Sequence, residues 1–364
     1  MSLYVFIAGM LLVVLFVSQS ARTRSTVVQN GDQCYYGDTR FAKVTFILLM
    51  TFFCILTGWR AAEIGNDTSN YIEYFKIYSS YVSLPESIEF GYQCYCYLIG
   101  RFTDDPHVFL IVTALICYTA VGIAIYRYSK HPAFSLCLFF CIFFSAFTNT
   151  LRQSLALSIC VFAYFAIKKK HFIRAVALIV LAIMFHKSAL VMFALFLYRF
   201  IPTKPKIVFP VLLAVVALSM SGMLAKTIVF LLPQYRYYVE SDYLSHGWIA
   251  VSYYLLRNAA FYILAYVSYK KCTVPGKQLI LSVFVILLWM TGLGFAVNLF
   301  TRASEYLLII AVIELPNAFC DGKLKNKNLY LYLLCLAMLA YFIVTLIVRP
   351  EWNNLYPYRF WQEM

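Results

Sequence analysis

Residues 172 to 201 read FIRAVALIVLAIMFHKSALVMFALFLYRFI, a greasy run with His186 and Lys187 near its middle. Two readings are open: the pair is held between helices inside a membrane, or it marks a point where the chain reaches water. The flanks of the run bear on the choice. Lys168, Lys169 and Lys170 precede it and Lys204 and Lys206 follow it, and short loops rich in lysine and arginine stay cytoplasmic. With both flanks on one side, the chain crosses twice between them, and His186-Lys187-Ser188 becomes the tip of a hairpin. Each arm has about 14 residues, or about 21 Å of α-helix at 1.5 Å per residue, which is short of the roughly 30 Å hydrocarbon core. The tip is then expected to sit below the outer membrane surface, in a water-lined cavity. A single crossing would turn every later lysine loop to the outside.

The rest of the chain has the same character. It is 63% hydrophobic and 13% charged over 364 residues, where a soluble domain is about 25% charged. Twelve apolar segments are expected to span, at 3 to 18, 44 to 58, 108 to 126, 134 to 148, 153 to 167, 172 to 185, 188 to 201, 207 to 223, 250 to 269, 279 to 297, 303 to 319 and 329 to 348. Runs such as LIVLAIMF and VFVILLWMTGLGF do not alternate, so they read as helices and not as barrel strands. The expected fold is all-α, a polytopic integral membrane protein of about twelve transmembrane helices, with residues 1 to 364 forming a single membrane domain. The first segment, LYVFIAGMLLVVLFV, lacks the basic start of a signal peptide and reads as a helix entering from outside. The eleven cysteines scatter through the spans and read mostly as small buried apolar residues. Cys94 and Cys96 are too close in sequence for an ordinary bridge.

Charge sets the sidedness. Taking alternate loops, one side holds 19 of the 30 basic residues and 4 of the 16 acidic ones, about +15 against −1 on the other. Both termini then face outward, as do the long segments 59 to 107 and 224 to 249 and the tail 349 to 364. The net charge of +14 does not point to nucleic acid, because the basic residues are dealt out between helices and not gathered on one face. In the first outer segment, Tyr71, Tyr74, Phe75, Tyr78 and Val82 recur at helical spacing, which predicts a short helix lying on the bundle. Asn70 with Glu73 fits a capping pair at its start. The Asn66-Asp67-Thr68 sequon would be an acceptor only in a secreted glycoprotein.

Arginine at the edge of a span is costly and usually faces the interior or a cavity. The outer-side arginines are Arg60, Arg101, Arg152, Arg236, Arg257, Arg302, Arg349 and Arg359, several of them at helix ends in polar company, and they are expected to converge on one face. Such a cavity suits a phosphate or pyrophosphate, since the guanidinium fork gives bidentate charge-assisted bonds. The chain has no phosphate-cradling glycine loop, and Gly292 and Gly294 fit helix packing. It has no Asp-x-Asp pair, no cysteine and histidine cluster and no HExxH. No metal and no cofactor are therefore expected, and the anionic ligand is expected to arrive through the lipid phase. His186 reads as an interhelical hydrogen-bonding group or as a general base. Asp67 reads as a helix cap, or as a group that orients a sugar hydroxyl or competes with His186 as the base. Arg152 and Arg302 read as snorkelling anchors or as the cations that meet the diphosphate. Tyr306 and Lys187 have the same two readings, interface or ligand, and Glu305 would neutralise Arg302. Arg60, Arg236 and Gln153 complete the expected substrate-binding set.

Arg60 with GNDTSNYIEYF at 65 to 75, NTLRQSLALS at 149 to 158, MFHKSAL at 184 to 190, YRYYVES at 235 to 241, TRASEYLLI at 301 to 309 and WNNLYPY at 352 to 358 resemble, in order and spacing, the EpsG-like family of polysaccharide polymerases. These are relatives of the bacterial O-antigen polymerase Wzy. The resemblance runs from about residue 45 to the end. The family usually has glycine and threonine before its aspartate, where this chain has Gly65-Asn66-Asp67. The resemblance implies an inner-membrane enzyme with a GT-C-like, metal-independent helical bundle. Such an enzyme joins undecaprenyl-diphosphate-linked oligosaccharide repeat units at the outer face and releases undecaprenyl diphosphate. It also implies the lipid bilayer as surroundings and a partner protein that regulates chain length. A flippase or transporter of lipid-linked sugars also suits twelve spans, and a membrane O-acyltransferase of polysaccharide also uses a histidine. Against transport, the two halves of the chain show no related repeat.

Overall fold

The computed structural model describes residues 2–22, 28–30, 33–35, 40–82, 88–231, 236, 247–270, 272–322 and 325–362. These are helical almost throughout, the exception being a two-stranded antiparallel hairpin, β1 (Val28–Asn30) with β2 (Gln33–Tyr35). The α-helices are α1 (Ser2–Arg22), α2 (Arg40–Gly58), α3 (Thr68–Tyr78), α4 (Phe90–Gly100), α5 (Pro106–Tyr128), α6 (Pro132–Asn149), α7 (Leu151–Lys168), α8 (Phe172–Phe185), α9 (Pro205–Met220), α10 (Met223–Leu231), α11 (Gly247–Tyr269), α12 (Lys277–Leu293), α13 (Leu299–Asp321) and α14 (Lys327–Val348).

Every one of the twelve expected segments falls on a helical element, but the elements differ in how well each suits a span. Helices α5, α6, α7, α13 and α14 are long and apolar enough to cross a membrane. Helices α9 and α10 together make a sixth such stretch, broken by a 71° bend. The bend falls at Ser221-Gly222, where Gly222 has φ +73°, a left-handed conformation that glycine adopts without a Cβ penalty. Leu3–Leu15, Ala42–Gly58, α8 and α12 are shorter apolar helices. Helix α11 is long but carries Arg257 and five tyrosines, which lower its apolar character.

The seventh of the twelve segments departs from expectation in its winding. Lys187–Phe200 is a 3-10 helix of 14 residues, far beyond the usual three or four. At about 2.0 Å per residue it reaches about 28 Å, so the second arm of the expected hairpin is longer than the α-helical length suggests. The chain does double back. Phe172, at the start of α8, meets Phe196 near the end of the 3-10 helix with ring centroids 6.0 Å apart.

The described chain divides into two compact units. The first holds residues 1–159, 184–186 and 326–364, and the second holds 160–183 and 187–325. In the first, α2 packs on α5 and α6, α6 packs on α1 and α14, and α3 lies on α4 and α5. The aromatic stripe is where it was expected: Tyr71, Phe75 and Tyr78 of α3 are buried, and Phe75 stacks on Phe109 at 4.6 Å. The helix begins at Thr68, one residue after Asp67. Asn70 and Glu73 therefore lie inside the helix, and the expected capping pair at its start does not form.

In the second unit, α12 packs against α9, α11, α13 and the 3-10 helix. A Cβ on Gly292 would come 3.1 Å from Leu212, and one on Gly294 would come 2.5 Å from Thr301, so both glycines serve close packing. Loops that charge assigns to one side meet. Gln278 donates to the carbonyls of Tyr198 and Ile201 at 3.1 and 2.7 Å. Lys168 pairs at 2.5 Å with Glu314, whose side chain is fully buried and also accepts from Tyr164 at 2.9 Å.

Candidate active site

The first unit gathers three of the six motif segments and the first three residues of a fourth, Met184 to His186. The hub is the loop between α2 and α3. Its backbone is laced to the C-terminal tail: Ala61 N–H donates to the Arg359 carbonyl at 3.0 Å, Trp361 N–H to Trp59 at 2.9 Å, and Gly65 N–H to Asn354 at 3.0 Å. Asn149, at the end of α6, ties the same two strands of chain. Its Oδ1 accepts the Asn66 N–H, while its Nδ2 donates to Ser145 and Asn353 at 3.0 and 3.2 Å. Gly65 sits between them at φ +86°, and a Cβ there would stand 2.9 Å from Thr68 Oγ1 and 3.0 Å from Asn149 Oδ1. Only glycine fits this crossing without strain.

Arg60 lies beneath this crossing with no exposed surface. Its Nε donates to Thr68 Oγ1 at 3.1 Å, and its Nη1 donates to the Thr57 carbonyl. Its Nη2 is buried and has no hydrogen-bond partner among the described residues. Burial lowers the guanidinium to about 10, opposed by Tyr358, Tyr118 and Tyr71, so the group stays charged at neutral pH. Arg60 is sealed among neutral oxygens, a position that holds chain together.

Asp67 is half-buried at the N-cap position of α3. Its side chain makes no capping bond, although its backbone carbonyl accepts from Tyr71 N–H at 3.1 Å. Of the three roles read for it, capping is not the one its carboxylate performs.

Arg152, in the first turn of α7, is 22% exposed and pairs through Nη1 with Glu89 Oε2 at 2.5 Å, the Glu89 side chain being 9% exposed. Tyr71 also lies in hydrogen-bonding reach of it. Its Nε is buried and has no partner among the described residues. Gln153, beside it, is buried. Glu89 was not legible as a site residue. Its only sequence signal is a carboxylate in a tyrosine-rich segment, and its partner is 63 positions away.

His186 is half-buried and sits at the break between α8 and the 3-10 helix. The chain leading to it docks on α4: a Cβ on Gly91 would stand 2.7 Å from Met184, and Phe185 meets Tyr95 with centroids 6.1 Å apart. Gly91 is two residues beyond Glu89, so the start of α4 holds both the partner of Arg152 and the approach to His186.

The remaining candidates belong to the second unit. Arg302 is half-buried and Tyr306 fully buried on α13. Glu305 lies within electrostatic reach of Arg302 and Arg257. Arg257 sits over the Tyr254 ring at 5.1 Å and donates from Nε to Asn258 at 3.1 Å. Lys187 is exposed, at the start of the 3-10 helix. Arg236 is exposed, and the rest of the motif at 235 to 241 lies outside the described residues. Among the described residues no group of three or more histidine, cysteine, aspartate or glutamate side chains is placed to hold a metal.

A family model described as the EpsG family matches residues 43–360. No curated protein and no solved structure matches the chain significantly.

Proposed function

The chain belongs to the EpsG family, and from that premise we propose that it is a membrane glycosyltransferase that polymerises undecaprenyl-diphosphate-linked oligosaccharide repeat units into O-antigen or exopolysaccharide. The observation that carries this reading is the gathering of Arg152, Glu89, Tyr71, Asp67 and the approach to His186 around α3 and α4 of one unit. In the reaction, a hydroxyl oxygen of the incoming unit attacks the anomeric carbon of the growing chain. The bond from that carbon to the diphosphate breaks, and undecaprenyl diphosphate leaves. His186 takes the hydroxyl proton, a contribution of about 10² to 10⁴ in rate for a positioned base, with Asp67 as the competing base. Arg152 meets the charge that builds on the departing diphosphate, an electrostatic role worth about 3 kcal/mol for one well-aimed donor.

In this reading Gln153, beside Arg152 on α7, binds substrate, and Arg60 acts by holding the loop that carries Asp67. The site opens on the periplasmic or outer face of the bacterial inner membrane, the bundle is GT-C-like and needs no metal, and a separate chain-length regulator protein acts on it. One observation favours a second reading, a flippase or transporter of the same lipid-linked sugar: the broken α9–α10 pair is of the kind that transporters use.

Purified protein with lipid-diphosphate oligosaccharide in detergent separates these. A ladder of products supports the polymerase. Acyl incorporation from a thioester marks an O-acyltransferase. Neither product, with lipid-linked sugar crossing the bilayer of proteoliposomes, marks transport.

A further inference from the structure

Helix α4 starts in an unusual way. Glu89 occupies its N-cap in extended conformation, φ −62° and ψ 136°, yet its side chain makes no capping bond. A side chain at that position ordinarily accepts an N–H of the first turn. Here the backbone carbonyl of Glu89 receives Tyr92 N–H at 3.0 Å and Gln93 N–H at 3.2 Å, and the carboxylate turns to Arg152 instead. A cap is forgone for a long-range ion pair, and both partners are largely withdrawn from water. With Nη1 of Arg152 fixed by Glu89 and Tyr71 alongside, the plane of the guanidinium is set, while its buried Nε donor is unused among the described residues.

We propose that Glu89 is a positioning residue for Arg152, aiming the guanidinium at a diphosphate; this rests on the polymerase reading given above. A carboxylate pair restricts the fork more than a water shell would, and a displacement of about 1 Å in a group that meets the transition state can cost about 10²-fold in rate. Glu89 itself touches no substrate in this account. Its negative charge opposes the anion, so its benefit is one of aim and not of attraction.

Turnover of lipid-diphosphate oligosaccharide by the purified full-length chain, read as kcat and KM together, tests this. The expected result for Glu89→Gln is a fall in kcat of about tenfold to a hundredfold, with KM changed less than about twofold and the melting temperature near that of the parent. A Glu89→Gln variant with unchanged kcat overturns the proposal. So does one in which KM falls while kcat holds, since the carboxylate would then be a competitor that substrate displaces. The exchanged pair, Glu89→Arg with Arg152→Glu, separates aim from simple bracing. A bracing pair recovers both fold and polymer on exchange, which overturns the proposal. A positioning pair recovers the fold, read as melting temperature and yield, without the ladder. If the parent chain itself forms no ladder, the polymerase reading fails, and that outcome is distinct from a parent that works and a Glu89→Gln variant that works equally well.

Discussion

Two arginines of the first unit, 92 residues apart in sequence, have opposite surroundings. Arg60 has no exposed surface and is held by neutral oxygens of Thr57 and Thr68 beneath the crossing of the α2–α3 loop and the tail. Arg152 keeps 22% of its side chain exposed and faces a carboxylate. The difference separates two uses of one side chain. A sealed cation cannot meet a ligand without unlacing the chain around it, so its Nε and Nη1 brace the α2–α3 loop. A partly exposed cation held in a fixed orientation by a carboxylate can meet a new anion. Sequence alone grouped the two as outer-side arginines, and burial divides them.

The largest effects are expected where chemistry is removed with the fold intact. His186→Ala should leave a folded protein and lower turnover by about 10² to 10⁴, giving lipid capped with at most one repeat unit. Polymer of normal length at parental protein level would remove His186 from the mechanism. Next, Arg152→Lys keeps the charge and loses the fork, so polymer should fall by about 10² to 10³ with little change in melting temperature. If yield of polymer stays near normal, Arg152 is an anchor and the contrast with Arg60 collapses.

Arg60 should fail in the other currency, stability. Arg60→Ala empties a sealed site and strips the hydrogen bonds to Thr68 and Thr57, costing about 3 kcal/mol, read as a lower melting temperature and lower yield in detergent. Arg60→Met, which fills much of the volume without a buried charge, should cost less. A fully stable Arg60→Ala chain that makes no polymer would reverse the assignment and give Arg60 a part in chemistry. The smallest change is at Gly65. Gly65→Ala must adopt φ near +86°, at about 1 to 2 kcal/mol, and should loosen the loop bearing Asp67 without unfolding the chain, so polymer should fall modestly while the melting temperature moves little.

Much of this was legible in the sequence for a physical reason: local patterns carry local structure. Twelve apolar segments, the stripe Tyr71, Phe75 and Tyr78, and the packing glycines Gly292 and Gly294 each follow from spacing, because side chains three and four apart share one helix face. What spacing does not carry is pairing between distant segments. Glu89 with Arg152, Lys168 with Glu314, and the lacing of residues 59 to 66 to residues 351 to 361 all join parts of the chain that no periodicity relates. Winding was equally opaque. Nothing in KSALVMFALFLYRF distinguishes a 3-10 helix from an α-helix, since the apolar run satisfies both. The shift from Asn70 to Asp67 at the head of α3 has a plainer cause: Gly65, in its left-handed turn, ends the preceding loop early enough for the helix to start at Thr68.

The proposed polymerisation requires the His186 break and its neighbours to open away from the cytosol. Lys187→Cys, labelled with a membrane-impermeant thiol reagent in intact spheroplasts and compared with the parent chain, measures this directly. Reaction before the membrane is opened is the result expected. Reaction that begins only after the cytosolic face is exposed would contradict the account.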